Sequence, residues 1–272
     1  MPSFALNHMT VAGASYQTLL DYASELGCAG VEVRNDLSGA LFDGLTPPQA
    51  GKAAMERGLS LLAVAEVCEF DKFSQSKLQE ASALIEIAVA AGCEAISLIP
   101  GNDGIGTAEQ ERLSNLRASL VALKPMLEAH SLVGLIEPLG FETATLRFKR
   151  EVVAAIDELN ALHCFKLVHD TFHHHLAGDS TLYAQHTGMV HISGVTDKSL
   201  ELAQLRDEHR ILVNEHDVLG SVAQLRMLTK AGYKGPISFE VFAPEVHAFT
   251  DPVKHLSGSI NFIASDLAAF AA

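Results

Sequence analysis

The chain has 272 residues, 48% hydrophobic and 19% charged, and its 19 Lys and Arg against 33 Asp and Glu give a formal net charge of −14. A chain of this length buries roughly 70–75% of its unfolded surface and needs no disulfide or metal merely to fold, while its acidity opposes nucleic acid, whose phosphates call for Lys and Arg. The composition holds thirteen His and no Trp, and because histidine is the commonest metal ligand the surplus is a first hint of chemistry.

In chain order, short apolar runs alternate with longer amphipathic ones. The first run, Phe4–His8, leads to a helical stretch over Ser15–Leu26 that stops at Gly27. Gly30–Arg34, a helix over Pro47–Arg57, Leu59–Val67, a helix over Ser76–Ala91 and Ala95–Pro100 follow. A helix over Ala108–Ala129 precedes Leu132–Glu137, and one over Lys149–Leu162 precedes Phe165–His169. The spacing then predicts a short helix near Thr181–Gln185, the run Met189–Ser193, a helix over Val222–Ala231, the run Pro236–Val241 and a last helix over Lys254–Phe270. Strands apolar throughout, rather than alternating, are buried on both faces, as parallel strands under helices must be.

These strand–helix units, with no Gly/Ser/Pro-rich linker between them, predict an α/β fold, a single (β/α)8 TIM barrel over residues 1–272. A doubly wound sheet would bring a phosphate loop, and no GxGxxG or GxxxxGK[ST] follows any run. Cys28, Cys68, Cys93 and Cys164 form no CxxC pair and read as small buried groups in a reducing compartment. The N-terminus has no signal-peptide pattern, and no stretch reaches the roughly 18 apolar residues of a membrane span. A cytoplasmic protein that engages neither membrane nor nucleic acid is expected, with a homo-oligomer left open by the apolar C-terminal segment.

A barrel builds its site from the C-terminal ends of its strands. There the fifth run ends Leu-Ile-Glu137-Pro, the sixth His169-Asp170-Thr-Phe-His173, the seventh Val-His191-Ile-Ser and the eighth Ser-Phe-Glu240. An ionisable group inside an apolar strand is costly unless paired or metal-bound, and four successive strands each place one there. Glu137, Asp170, His191 and Glu240 therefore form a hard, oxygen-rich donor set for one divalent ion, Mn²⁺, Zn²⁺, Mg²⁺ or Co²⁺. His173 falls past the strand end, within reach of a substrate oxygen. Alternation turns His169 away from the ligand face. His174 and His175 divide evenly between bystanders and outer donors. Asn7, His8, Arg34, Asn35 and Glu66, at the ends of earlier runs, fit structural hydrogen bonding as well as substrate contact. In the long polar segment after the seventh run, Arg210 fits a substrate hydroxyl as well as a loop salt bridge to Asp207 or Asp217.

Together these strings resemble the xylose-isomerase-like superfamily of TIM-barrel sugar isomerases and epimerases, over nearly the whole chain. Asp207-xx-Arg210 is similar to that superfamily's Asp-xx-Arg, although Val-Asn-Glu-His-Asp-Val-Leu-Gly replaces the usual Pro-Gly-x-Gly. Phe4-Ala-Leu-Asn-His-Met-Thr10, Val31-Glu-Val-Arg-Asn-Asp36, Ser97-Leu-Ile-Pro100, Asp170-Thr-Phe-His-His174 and His191-Ile-Ser-Gly-Val-Thr196 are most similar to the bacterial 2-keto-myo-inositol isomerases of inositol catabolism. The resemblance implies an isomerase in which Glu137 and Glu240 move a proton through an enediolate, while His173 and Arg210 polarise oxygens of a cyclic polyol ketone or ketose. Alternatives on the same scaffold are a ketose 3-epimerase and a keto-inositol dehydratase; of another class, a non-catalytic polyol-binding barrel. The superfamily's DNA-repair endonuclease branch is opposed by the charge of −14.

Overall fold

Residues 2–271 are described by a computed structural model. The apolar runs become strands β1 (Ser3–Asn7), β2 (Gly30–Arg34), β3 (Ser60–Cys68), β4 (Ala95–Ile99), β5 (Val133–Ile136), β6 (Phe165–Asp170), β7 (Thr187–Ile192) and β8 (Pro236–Phe239). Between and after them lie α1 (Tyr16–Glu25), α2 (Pro47–Met55), α3 (Gln75–Ala91), α4 (Glu109–His130), α5 (Lys149–Glu158), α6 (Thr171–Ala177), α7 (Ser221–Lys230), α8 (Pro244–His247) and α9 (Pro252–Ala271). Each strand pairs in parallel with its sequence neighbour and β1 pairs with β8, so the sheet closes into an eight-stranded barrel.

Local sequence explains the joints. Ser74 caps α3 by accepting from the Lys77 N–H, and Gly92 ends that helix at φ 70°, the left-handed conformation glycine adopts without Cβ strain. The outward strand faces join the helices in one large apolar core containing Leu6, Val31, Val64, Ile96, Ile136 and Leu167. A second apolar cluster, Ala5, Leu62, Ala63, Ala95, Leu135, Val168 and Met189, lies inside the barrel. Leu135, Val168 and Met189 precede Glu137, Asp170 and His191 by two residues, so alternation places each charged group on the same inward face, one layer higher. The lumen is thus apolar below and charged at its mouth.

Two expectations are corrected. No helix forms at Thr181–Gln185; the helix between β6 and β7 is α6, which begins at Thr171 directly after the strand. The cause is Asp170, whose Oδ1 accepts the His173 N–H at 2.8 Å and caps the helix, while Gly178 at φ 62° ends it. His173, His174 and His175 therefore ride on a helix rather than a loop. Of the cysteines, Cys28, Cys93 and Cys164 are buried, but Cys68, at the end of β3, is exposed. No described helix is long and apolar enough to cross a membrane.

Candidate metal centre

Parallel pairing sets Asp170 directly beside His191, and His191 beside Ser238, two residues before Glu240. With Glu137 at the end of β5, the four side chains converge: each offers one ligating atom, and these atoms all lie within 4.8 Å of one another. All four residues are buried, none more than 4% exposed. So much charge cannot stay dry unless it is paired.

The pairing comes largely from the opposite side of the barrel. Glu32, fully buried on β2, places Oε2 3.0 Å from His191 Nε2. Asn7 donates to Glu32 Oε1 at 3.3 Å and to Glu240 Oε1 at 3.4 Å. Arg34 donates to Glu240 Oε1 at 2.8 Å and also grips Asp36 and Glu66. Arg210, 1% exposed, donates through Nε to Ser193 Oγ at 3.0 Å, through Nη1 to Asp207 at 3.1 Å, and through Nη2 to Asp170 and to Glu240 Oε2. Its guanidinium lies over Phe172 and Phe242. Asp217 takes no part, accepting instead from backbone N–H groups of Val195, Leu219 and Ser221. Arg210 is thus neither purely a surface loop salt bridge nor free; it braces two of the candidate ligands.

The two glutamates are electrostatically unlike. Burial, reinforced by the neighbouring Glu240 charge, pushes Glu137 up to about 7. Burial acts on Glu240 in the same direction, but His191, Arg210 and Arg34 outweigh it and hold its carboxyl well below the usual range. For His191, burial favours the neutral ring, yet Glu240, Glu32 and Glu137 carry its pKa well above normal. Carboxylates whose surroundings drive their proton affinities apart are the usual mark of an acid–base pair.

His191 also supplies the test of whether the cluster fits a cation. Its Nδ1 is buried without a hydrogen-bond partner, although Glu137 Oε2 is 3.4 Å and Glu240 Oε2 3.2 Å away. Glu32 holds the other ring nitrogen, the outer-sphere arrangement that orients a ligating histidine. Three carboxylates around one orphaned imidazole nitrogen suit a divalent ion.

His173 donates its backbone N–H to Asp170, and its own Nδ1 is buried and unpartnered. Phe141 and Phe172 meet its ring edge-on, at 5.2 and 5.3 Å between centroids. Gly140 makes this contact possible, since a Cβ there would stand 2.3 Å from the His173 carbonyl oxygen. Beyond Phe141 opens a cavity of about 550 Å³ bordered by Asn102, Thr143, Arg147, Leu176 and Asp207. His8 Nε2 turns to the Ala14 carbonyl, Asn35 bonds the Glu66 backbone, and Glu66 serves Arg34. Sequence reasoning overlooked Glu32; its signal was a buried acid two residues before Arg34 in an apolar run.

A closed parallel barrel carrying a buried carboxylate–histidine cluster at its mouth defines the class. The chain belongs to the xylose isomerase-like TIM barrel family, whose model matches residues 20–265. A xylose isomerase domain containing protein from Salmonella typhimurium is 28% identical, with 97% of each chain covered and a TM-score of 0.87. A crystal structure of IolI protein with a bound zinc atom is 17% identical over 97% of this chain and 99% of that one, at a TM-score of 0.86. L-ribulose 3-epimerase is 16% identical over 100% and 96%, at 0.75. These last two likenesses show the fold. No curated protein matches the sequence.

Proposed function

We propose that the protein is a divalent-metal-dependent isomerase that moves a carbonyl between adjacent carbons of a keto-inositol, in the manner of the 2-keto-myo-inositol isomerases. The observation that carries this reading is the orphaned Nδ1 of His191 facing Glu137 and Glu240, with Asp170 completing the donor set. The zinc atom in the IolI structure of the same fold supports it. Glu137, Asp170, His191 and Glu240 would hold the ion. When bound there, a divalent cation polarises the carbonyl and adjacent hydroxyl of an α-hydroxyketone and offsets the negative charge that develops on their oxygens.

The rest falls to the chain itself. The carbon bearing the hydroxyl loses its proton to one carboxylate, the former carbonyl carbon gains one, and the hydroxyl proton passes to the former carbonyl oxygen, leaving the composition unchanged. Glu137, the carboxyl whose pKa burial and the Glu240 charge raise, suits the transfer at carbon. Glu240, kept ionised by Arg34 and Arg210, takes the complementary part. His173 presents an unpartnered ring nitrogen to a substrate oxygen, and Arg210 adds a fixed cation. Phe141 packs on His173, and Phe172 and Phe242 cover the Arg210 guanidinium; the cavity bordered by Phe141 and Asp207, about 550 Å³, falls within the usual range for small-molecule sites.

NMR of the enzyme loaded in turn with Mg²⁺ and Zn²⁺, given 2-keto-myo-inositol in D₂O, tests the proposal. Deuterium at the α-carbon together with a second keto-inositol is the expected result. Epimerised fructose or tagatose would transfer the assignment to a 3-epimerase, and an unsaturated product to a dehydratase. A metal-loaded protein that binds polyols without exchanging a proton would be a binding barrel.

A further inference from the structure

On the face of β6 turned away from the metal centre, three buried nitrogen bases meet with no acid among them. Lys149, the first residue of α5 and 4% exposed, brings Nζ to 2.8 Å from His169 Nδ1 and 2.9 Å from His174 Nδ1. His169 Nε2 lies 2.9 Å from Gln224 Oε1, and the Gln224 amide nitrogen donates to the carbonyls of Thr171 and Leu219. Since that amide nitrogen is fully committed, its oxygen must accept, so His169 carries its proton on Nε2 and offers a lone pair at Nδ1. His174 Nδ1, 2.9 Å from the amine, is the second acceptor when the ring proton sits on Nε2. Two acceptors match the two N–H bonds of a neutral amine, whereas an ammonium would bury a third N–H with no partner among the described residues.

The alternation of strand and helix gives this cluster its meaning. His169 is the chain neighbour of Asp170, and His174 of His173; both histidines turn to Lys149 on α5. We propose that Lys149 is a positioning residue, an uncharged amine that ties His169 to His174 and thereby fixes the aim of Asp170 and His173 into the metal centre. This rests on the functional reading above for the roles of Asp170 and His173. Burial drives Lys149 down to about 7, against the more distant carboxylates of Asp170, Asp179 and Glu137. Burial, Lys149 and His174 push His169 well below its ordinary value, and burial takes His174 to about 4, so neither histidine in contact with the amine favours its charge.

The consequence is measurable without substrate. Unfolded, Lys149 titrates near 10.4; folded, it titrates near 7. Between those values the unfolded chain binds more protons, so this residue makes stability rise with pH across that window. Metal-free wild type should therefore gain denaturant resistance from pH 7.5 to 9.5 relative to Lys149→Met, and the variant should bind Zn²⁺ roughly 10-fold more weakly, as loss of outer-sphere support does. Parallel pH profiles, or equal Zn²⁺ affinity in the two proteins, would overturn the inference. Should Lys149→Met not fold, His174→Phe removes one acceptor while keeping the bulk; a smaller loss of Zn²⁺ affinity is expected, and no loss overturns the proposal. A wild type that takes up no divalent ion overturns the functional reading and with it the purpose assigned to Lys149; a wild type that binds while Lys149→Met binds equally well overturns this inference alone.

Discussion

Strands β5–β8 and strands β1–β3 bring buried charge to the same barrel mouth for different ends. The first set supplies Glu137, Asp170, His191 and Glu240, whose ligating atoms face one another. The second supplies Asn7, Glu32, Arg34 and Glu66, which face the first set's outer atoms or one another. The contrast shows how an acidic cluster stays dry. Glu240 touches both arginines and is held ionised, while Glu137 touches neither and is driven toward protonation. The donor half also carries His191 and Arg210, which with Arg34 from the other half keep Glu240 ionised.

Removing either glutamate's charge should break the chemistry yet separate the two residues in stability. Glu137→Gln and Glu240→Gln are each expected to lower turnover by about 10²–10⁴-fold, the usual worth of a positioned acid–base group. A carboxyl whose folded value is raised costs stability above its unfolded value, near 4.3, so in metal-free protein at pH 8 Glu137→Gln should melt no lower than wild type. Glu240→Gln strips a charge from Arg34 and Arg210 at once and should melt lower. Thermal melts of the two variants in a chelator decide this; equal shifts would dissolve the distinction.

The supporting half is tested through Glu32. Glu32→Gln keeps the shape but weakens the hold on His191 Nε2, so metal affinity should fall roughly 10–100-fold. Turnover at saturating metal should fall much less than in Glu137→Gln. Competition with a chelating dye measures the first quantity and steady-state kinetics the second. A collapse of turnover with unchanged affinity would move Glu32 from support to chemistry.

The same contrast explains what could be read in the sequence. The barrel followed from continuous apolar runs spaced by amphipathic ones, a local property of each segment. The donors were visible because Glu137, Asp170, His191 and Glu240 each interrupt such a run at the same strand position. Glu32 interrupts one as well, but its meaning depends on closure, which brings it to His191 across 159 residues and Asn7 to Glu240 across 233. Helix α6 escaped for another reason: Asp170 ends a strand and caps a helix at once, so no polar gap separates the two elements. Arg210 was ambiguous because either a hydroxyl or a carboxylate satisfies a guanidinium. It meets Ser193, Asp207, Asp170 and Glu240 together, a set drawn from three parts of the chain.

Asp207 gives the mildest test, because it joins the long loop to Arg210 without belonging to either half. Its side chain is 40% exposed and meets Arg210 Nη1 at 3.1 Å. Only the Asp207 end of this pair is exposed, and Asn keeps an oxygen for Nη1, so the change should cost on the order of 1 kcal/mol; Arg210 keeps its bonds to Ser193, Asp170 and Glu240. Asp207→Asn should therefore lower kcat/KM by less than about fivefold, the kinetic equivalent of 1 kcal/mol, with metal affinity unchanged. Because Asp207 also borders the cavity beside Phe141, a larger loss confined to KM would mean that the carboxylate meets the polyol directly. The Asp-xx-Arg motif would then act on substrate with both of its charged residues, rather than with Arg210 steadied by a neighbour.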